Sequence, residues 1–545
     1  MTTAAEILCA RADDEATAFC FEGQQWTYRQ LIEEAARRAA LFDALVHRDR
    51  PRHIGVLLDN VPDYVFWLAG AALSGTVVVG INSTYRGEKL AQLVRHTECQ
   101  VLVTSSSHLP LTEGVDTGVD PERVLLVDDG KYRLDVAQQA TDVPARAVEE
   151  DDLFLLIFTS GSTGLPKAVR CTQGRFGRTG GHVAAVAELT ENDTVYAPLP
   201  FFHSSSLFTG WASAITAGVP LATRGRFSAS GTLLDIRRYR ATMLTYTGKV
   251  LNYVLATPEQ PDDADNPLRL AIGNEASLRD IREFGRRFGC TVRDSYGSTE
   301  GIIIIRRDAS MPEGALGAAD SSVRVLNAET GDECPPVVFG PDGRPTNLEE
   351  AVGEIVETQP IGGFEGYYKN EDATSDRFRG GSYWSGDLAY RDREGWFYFA
   401  GRSNEWLRVD GENFAAAPVE AIVARFPGVR SVAVYAVPDD PVGDRVMAAI
   451  ELDAGVAFAP DSFDDFLDAQ PDLGTKWRPA FVRVMQELPK LASMKIDKQR
   501  LRREAWRVGS VFWRPGRDEG LRRVEETDRR RLDPLLRRIC PKQNT

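Results

Sequence analysis

"LLIFTSGSTGLPKAV", Leu155 to Val169, passes from an apolar run into small hydroxylic and glycine residues and closes on a proline–lysine pair. The apolar part, extended by the two residues before it to "LFLLIF", predicts a buried strand. After it come Thr159, Ser160, Gly161, Ser162, Thr163 and Gly164. Glycines permit backbone conformations that turn several N–H groups toward one anion, and the hydroxyls add donors. Lys167 supplies a point charge. A strand that delivers such a loop and a lysine reads as a clamp for the outer phosphates of a nucleotide. Its spacing is neither the G-x-x-x-x-G-K-[ST] of P-loop NTPases nor the G-x-G-x-x-G of dinucleotide folds.

The clamp strand sits in an alternating pattern. "HIGVLL", "TVVVGI", "CQVLVTS" and "RVLLVD" read as further buried strands, and "TYRQLIEEAARRAALFDALV" and "EKLAQLVRHT" have helical spacing. Such alternation predicts an α/β architecture with largely parallel sheets. From about Gly317 to Val356 the texture changes to short strands punctuated by glycine and proline, as in "VRVLNAETGDEC" and "GEIVETQ". After Gly401 a compact α+β pattern follows: "VEAIVARF" as helix, then "VRSVAVYAV" and "RVMAAIEL" as strands.

Length and charge set bounds. A chain of 545 residues predicts two to four units. The net charge of −15 argues against a general nucleic-acid binder. Seven scattered cysteines and six dispersed histidines offer no metal-ligand or redox spacing. The amino terminus lacks the basic flank and apolar core of a signal peptide. "DYVFWLAGAALSGTVVVGI", Asp63 to Ile81, reads as helix, tight turn and buried strand rather than as a membrane span. The expectation is a cytoplasmic protein with at most peripheral contact at the inner membrane face; the oligomeric state stays open, a homodimer included. Residues 500–545 carry 14 Lys and Arg against 7 Asp and Glu. They read as a helical arm packed on the last domain, with contact to anionic lipid or cofactor phosphates as the alternative.

"TSGSTGLPKAV" resembles the phosphate-binding signature of the AMP-forming acyl-CoA synthetases, the adenylate-forming superfamily. Companions follow in the expected order. "DSYGSTEG", Asp294 to Gly301, resembles the adenylate-binding motif; "YWSGDLAYRDREGWFYFAGR", Tyr383 to Arg402, the ribose-binding segment; and "LPKLASMKIDKQRL", Leu488 to Leu501, the region of the catalytic lysine. The resemblance implies a large N-terminal domain, residues 1–403, of two αβ-layered sheets plus a small β-barrel-like unit. It also implies a small mobile α+β C-terminal domain, residues 404–545, with a basic tail from about 505.

Site roles follow by resemblance. Tyr296 would stack on adenine, with Gly297 and Ser298 beside it; Glu300 would hold Mg²⁺; and Thr299 would donate to the α-phosphate. Asp387 and Arg402 would hold the ribose. Gly273, Asn274 and Glu275 stand where the family more often has Gly-Gly-Ala in the adenine pocket. Lys495 would be the catalytic lysine, with Lys490 and Lys498 as competitors. It is preceded by Ser493 and Met494 rather than by a hydroxyl residue and glycine, a variation similar to that of fatty acid transport proteins. The hinge maps to Asn404, where an acid or lysine is more common, and Gly411 and Glu412 would line the CoA tunnel.

The implied reaction joins a carboxylate to AMP and then transfers the acyl group to coenzyme A, with ATP, Mg²⁺ and CoA as required partners. "PLPFFHSSSLFTGWASAI", Pro198 to Ile215, resembles the border of the acyl pocket. Phe202, Phe208 and Trp211 would line it, with His203 as gate or aromatic contact. No acidic residue is present there to pair with an ammonium, so a hydrophobic acid is expected. Medium- to very-long-chain fatty acids lead, and a sterol side-chain or bile acid follows. The alternatives are an acyl-AMP ligase loading a carrier protein, and a fatty-acid uptake or binding protein with little enzymatic activity.

Overall fold

The computed structural model describes residues 3–536 apart from 160–165, 249, 308–310, 313, 342–344, 361–362, 403–405, 410–411, 440–442, 471–472, 475, 492–494 and 517–518. By its internal contacts the chain forms two compact units. One runs Met1–Ile304 and takes back Ile361–Asp376; the other holds Ile305–Pro360, Arg377–Leu491 and Lys495–Thr545.

The first unit contains a six-stranded sheet in the order Val124–Leu126, Val101–Thr104, His53–Leu57, Val77–Gly80, Leu153–Thr159, Lys167–Thr172. All neighbours are parallel except the last pair. His53–Leu57, Val77–Gly80 and Val101–Thr104 are buried along their whole length. Continuous β-branched runs suit a parallel sheet covered on both faces. The helix Pro62–Ser74 buries Tyr64 to Ser74, and Gly75 ends it at φ 61°, a left-handed cap that returns the chain to the sheet at Val77. Among the described residues no helix is long and apolar enough to cross a membrane.

A second, eight-stranded sheet includes, in neighbouring order, Gln24–Thr27, Thr17–Phe21, Leu221–Thr223, Val195–Tyr196, Met243–Thr247, Leu270–Asn274 and Thr291–Gly297. Among these seven strands only the outer hairpin is antiparallel. One carboxylate pins the entry ends of three of these strands. Asp193, 5% exposed, accepts from Arg269 Nε at 2.8 Å and Nη2 at 3.0 Å, from Thr242 Oγ1 at 2.6 Å and from the Thr190 amide at 2.8 Å. Arg269 and Thr242 directly precede Leu270 and Met243, and Asp193 lies two residues before Val195.

The second unit holds an antiparallel five-stranded sheet built from Val323–Leu326, Gly353–Glu357, Phe378–Arg379, Ser382–Arg391 and Phe397–Arg402. It also holds a seven-stranded mixed sheet centred on Gly443–Leu452. The basic tail is more than a packed arm. Ser510–Trp513 joins the mixed sheet beside Phe481–Met485, and Leu532 and Leu536 of the helix Glu526–Leu536 are buried against a core containing Trp506 and Trp513. Its charge hid the strand-forming "SVFW" within it, and Arg522 and Arg507 pair locally with Asp528 and Asp533. Burial pushes the Cys20 thiol up to about 11 and those of Cys99, Cys171 and Cys290 to about 12, which disfavours the reactive thiolate.

Burial alone would raise the Asp193 carboxyl, but the Arg269, Thr242 and Thr190 donors outweigh it and hold it at about 2. An unfolded aspartate titrates near ~3.9. The stabilisation is therefore complete above about pH 4 and is lost as pH falls through about 2. Asp193→Asn is expected to lower stability at neutral pH by about 2 kcal/mol. Its urea midpoint should converge on that of the parent protein as the pH is taken down through this window, and a constant gap would contradict the assignment.

Candidate active site

The clamp is a β-hairpin. Leu153–Thr159 and Lys167–Thr172 pair antiparallel so that Thr159 lies opposite Lys167, and both are half-buried. The intervening Ser160, Gly161, Ser162, Thr163 and Gly164 lie outside the described residues. The segment that returns from the other unit docks on this hairpin. The Arg170 amide donates to Gly366 O at 3.0 Å, the Tyr368 amide donates to Ala168 O at 2.8 Å, and Val169 bridges Tyr367. Glu365 accepts from the Thr172 amide at 2.7 Å and hydroxyl at 2.6 Å. The Tyr367 ring thereby lies 5.0 Å from Lys167 Nζ, and its hydroxyl donates to Glu300 Oε1 at 2.7 Å.

The segment that resembles the adenylate-binding motif occupies the strand Thr291–Gly297 and the turn after it, at the carboxyl edge of the parallel sheet, where ligands of such sheets bind. Asp294 accepts from Tyr246 Oη at 2.9 Å and from the Ala276 amide at 3.0 Å, tying the motif to the Asn274–Ala276 turn. Gly273 is required there: a Cβ would sit 2.1 Å from Tyr246 O. Asn274 Oδ1 is buried without a hydrogen-bond partner among the described residues, and exposed Glu275 adopts φ 65°. Tyr296 is half-buried, and Gly297 and Ser298 are exposed. Thr299 Oγ1 lies 3.1 Å from Ser204 Oγ, while Glu300 is only 6% exposed.

Arg175 has no motif to announce it, yet it joins these parts. It stands near the start of the helix Gln173–Val186, directly after the hairpin. Its buried guanidinium donates to Arg170 O at 2.7 Å, to Glu300 O at 3.0 Å and to Thr299 O. One cation thus holds the turn that presents Thr299 and Glu300 against the strand that carries Lys167.

The expected acyl-pocket residues divide. Phe202 lines a small apolar cavity of about 10 Å³ with Tyr64, Leu68, Gly80 and Leu207, and its ring lies 4.5 Å from that of His203. Phe208 and Trp211 belong to a π-helical stretch, Ser205–Ala212, and pack on Phe176 at 6.1 and 5.2 Å within the core.

In the second unit Asp387, 8% exposed, lies opposite Arg402 in the ladder of Ser382–Arg391 with Phe397–Arg402. Its amide donates to Ser385 Oγ at 3.1 Å, and the preceding Gly386 amide donates to buried Glu354 Oε1 at 2.6 Å. Burial raises the Glu354 carboxyl against that amide. Lys495 is half-buried on a short hairpin in which the Leu491 amide donates to Lys495 O at 2.8 Å and Lys490 bridges Ile496. Lys490 pairs with Glu487, and Lys498 with Glu420 at 3.0 Å. Asn404 and Gly411 lie outside the described residues, as do the side chains of Arg402 and Glu412.

Among the described residues no group of three or more His, Cys, Asp or Glu is gathered as a metal cage. A single buried carboxylate, Glu300, fits a hard cation that takes its remaining ligands from phosphates and water, as Mg²⁺ does.

The sequence model of the AMP-binding enzyme family matches residues 8–368, and that of the AMP-binding enzyme C-terminal domain matches residues 418–495. A steroid-22-oyl-CoA synthetase of Rhodococcus jostii is 44% identical over 516 residues, covering 94% of this chain and 93% of that protein. A medium/long-chain-fatty-acid–CoA ligase of Mycobacterium tuberculosis is 43% identical over 512 residues, covering 94% and 98%. The fold is that of ATP-bound MatB from Rhodopseudomonas palustris, at TM-score 0.78 and 23% identity over 92% of this chain and 98% of that one. With the hairpin clamp, the adenylate motif and the lysine-bearing domain all inside these matches, the chain belongs to the AMP-binding enzyme family.

Proposed function

We propose that this protein activates a hydrophobic carboxylic acid, with medium- to very-long-chain fatty acids as the first class and steroid side-chain acids as the second. The acid and ATP give acyl-AMP and pyrophosphate; CoA then gives the thioester and AMP. The observation that carries this is the hairpin pairing Thr159 with Lys167, linked through Tyr367 to Glu300. The second acid class is favoured by the similarity to the Rhodococcus steroid-22-oyl-CoA synthetase.

No strong base is needed in the first step, because the nucleophile is already an anion. A carboxylate oxygen bonds to the α-phosphorus as the bond to the bridging oxygen breaks, and pyrophosphate leaves with that electron pair. Lys167 and the donors following Thr159 would receive the pyrophosphate charge. The Thr299 hydroxyl would donate to an α-phosphate oxygen, and Lys495 would lie between that phosphate and the carboxylate. Tyr296 would cover the adenine face, with Gly273, Asn274 and Glu275 at its edge, and Asp387 would accept from the ribose hydroxyls with Arg402 beside it. Mg²⁺, held through Glu300, would supply neutralisation of phosphate charge. In the second step a turn at Asn404 would bring Gly411 and Glu412 to the path of the CoA thiol.

Lys495→Ala is expected to lower acid-dependent exchange of pyrophosphate into ATP by at least about 100-fold. Thioester formation from supplied acyl-AMP and CoA should stay within a few-fold of the parent protein; equal loss in both half-reactions would remove the assigned role. Pyrophosphate release and thioester formation measured over a panel of fatty acids and a steroid side-chain acid decide the acid class. Adenylation without thioester would favour carrier loading, and no adenylation of any hydrophobic acid would leave a binding protein.

A further inference from the structure

Tyr367 enters the first unit on the returning segment and is clamped on all sides. Its amide donates to Thr374 Oγ1 at 3.0 Å, its ring packs on Phe364 at 4.9 Å and on Val169 and Ala373, and it is 4% exposed. A ring so held has no freedom to follow its partners. Its hydroxyl meets Glu300 Oε1 at 2.7 Å and its face lies 5.0 Å from Lys167 Nζ. It therefore bridges, in one rigid group, the anion and the cation that the proposed chemistry assigns to the metal and to the phosphates. A cation over the face and an anion at the hydroxyl polarise the phenol in the same sense.

We infer that Tyr367 is a positioning residue for the metal–nucleotide complex: its hydroxyl fixes the carboxylate of Glu300 by one oxygen and leaves the other to the cation. Arg175 complements it, holding the Glu300 carbonyl while Tyr367 holds the side chain. Hydrogen-bond partners that orient a metal ligand typically contribute about 10- to 100-fold to metal affinity. The inference rests on Glu300 being the carboxylate that holds Mg²⁺.

The test uses the full-length protein without acid, so that no turnover occurs. Calorimetry gives the Kd for ATP with saturating Mg²⁺ and again in EDTA, and the ratio of the two is the metal-dependent gain. Tyr367→Phe keeps the ring and its packing. It is expected to reduce that gain about tenfold while leaving the Kd in EDTA unchanged. An unchanged gain, or a parallel shift of both constants such as altered packing would cause, overturns the inference. Glu300→Gln is measured beside it. Loss of the gain in this variant upholds the carboxylate's role independently of Tyr367, and a retained gain overturns that role itself.

Discussion

A carboxylate and a triphosphate repel one another, and this sets what the rest of the molecule must do. Two unit charges 4 Å apart interact by about 1 kcal/mol in water and about 4 kcal/mol at the effective dielectric of a protein surface. The incoming acid meets several such charges at once. Opposing charge helps only if it is fixed before the anions arrive, since a side chain that must reorganise returns part of the gain. The first unit shows how fixing is done. Lys167 belongs to a strand paired on one side with Leu153–Thr159 and on the other with the Tyr367 segment. The Arg175 guanidinium is used for geometry, binding three carbonyls of the protein. Buried without hydrogen bonds, that cation would cost several kcal/mol; satisfied by carbonyls, it ties two motifs together.

The same division of labour runs along the second sheet. Asp193, Thr242 and Arg269 form a charged knot at the amino ends of the strands. Asn274, Tyr296 and Thr299 emerge at the carboxyl ends. In a parallel sheet one end is free to carry chemistry only if register is secured elsewhere, because a slip would displace every side chain at the site. Asp294 repeats the principle close to the site, where its carboxylate joins Tyr246 on one strand to the Ala276 amide beyond another. Proposed adenine contacts are thus supported by polar groups that touch no adenine.

Much of this was legible in the sequence. Continuous β-branched runs gave the parallel strands, Gly75 the turn that excludes a membrane span, and the ordered motifs the placement of Thr159, Lys167, Glu300, Asp387 and Lys495 along the chain. What escaped has a common physical cause. Arg175 in "GRFGR" and Tyr367 in "GYYK" act through partners distant in sequence: Arg175 and Glu300 are 125 residues apart, and Tyr367 and Glu300 are 67. A buried arginine satisfied by main-chain carbonyls leaves no partner residue to find. The tail misled for the opposite reason, since its arginines dominate the composition while its few apolar residues decide where it packs. Phe208 and Trp211 were marked by their aromatic character, yet in the fold they join Phe154 and Phe176 in the core. Aromatic residues in a pocket and in a core have the same local pattern.

That last ambiguity explains why chemistry is far easier to read here than substrate. The groups proposed to handle nucleotide are polar, and each must be satisfied by particular neighbours, so they recur as ordered motifs. An apolar acid needs only space of the right shape, and one methylene more or less changes selectivity by about 1–3 kcal/mol. A few substitutions around such space shift preference without disturbing any motif. Relatives named for a steroid acid and for fatty acids accordingly stand at 44% and 43% identity to this one chain. The small apolar cavity lined by Phe202, Tyr64 and Gly80 belongs to the same buried interior as Phe208 and Trp211. Gly80 is the most constrained of these, because a Cβ there would stand 3.0 Å from both Phe202 and the Tyr64 hydroxyl. That hydroxyl is itself buried without a hydrogen-bond partner among the described residues. A wall that combines a tight glycine with an unsatisfied phenol is shaped by packing and by polarity together, and neither leaves a mark in the primary sequence.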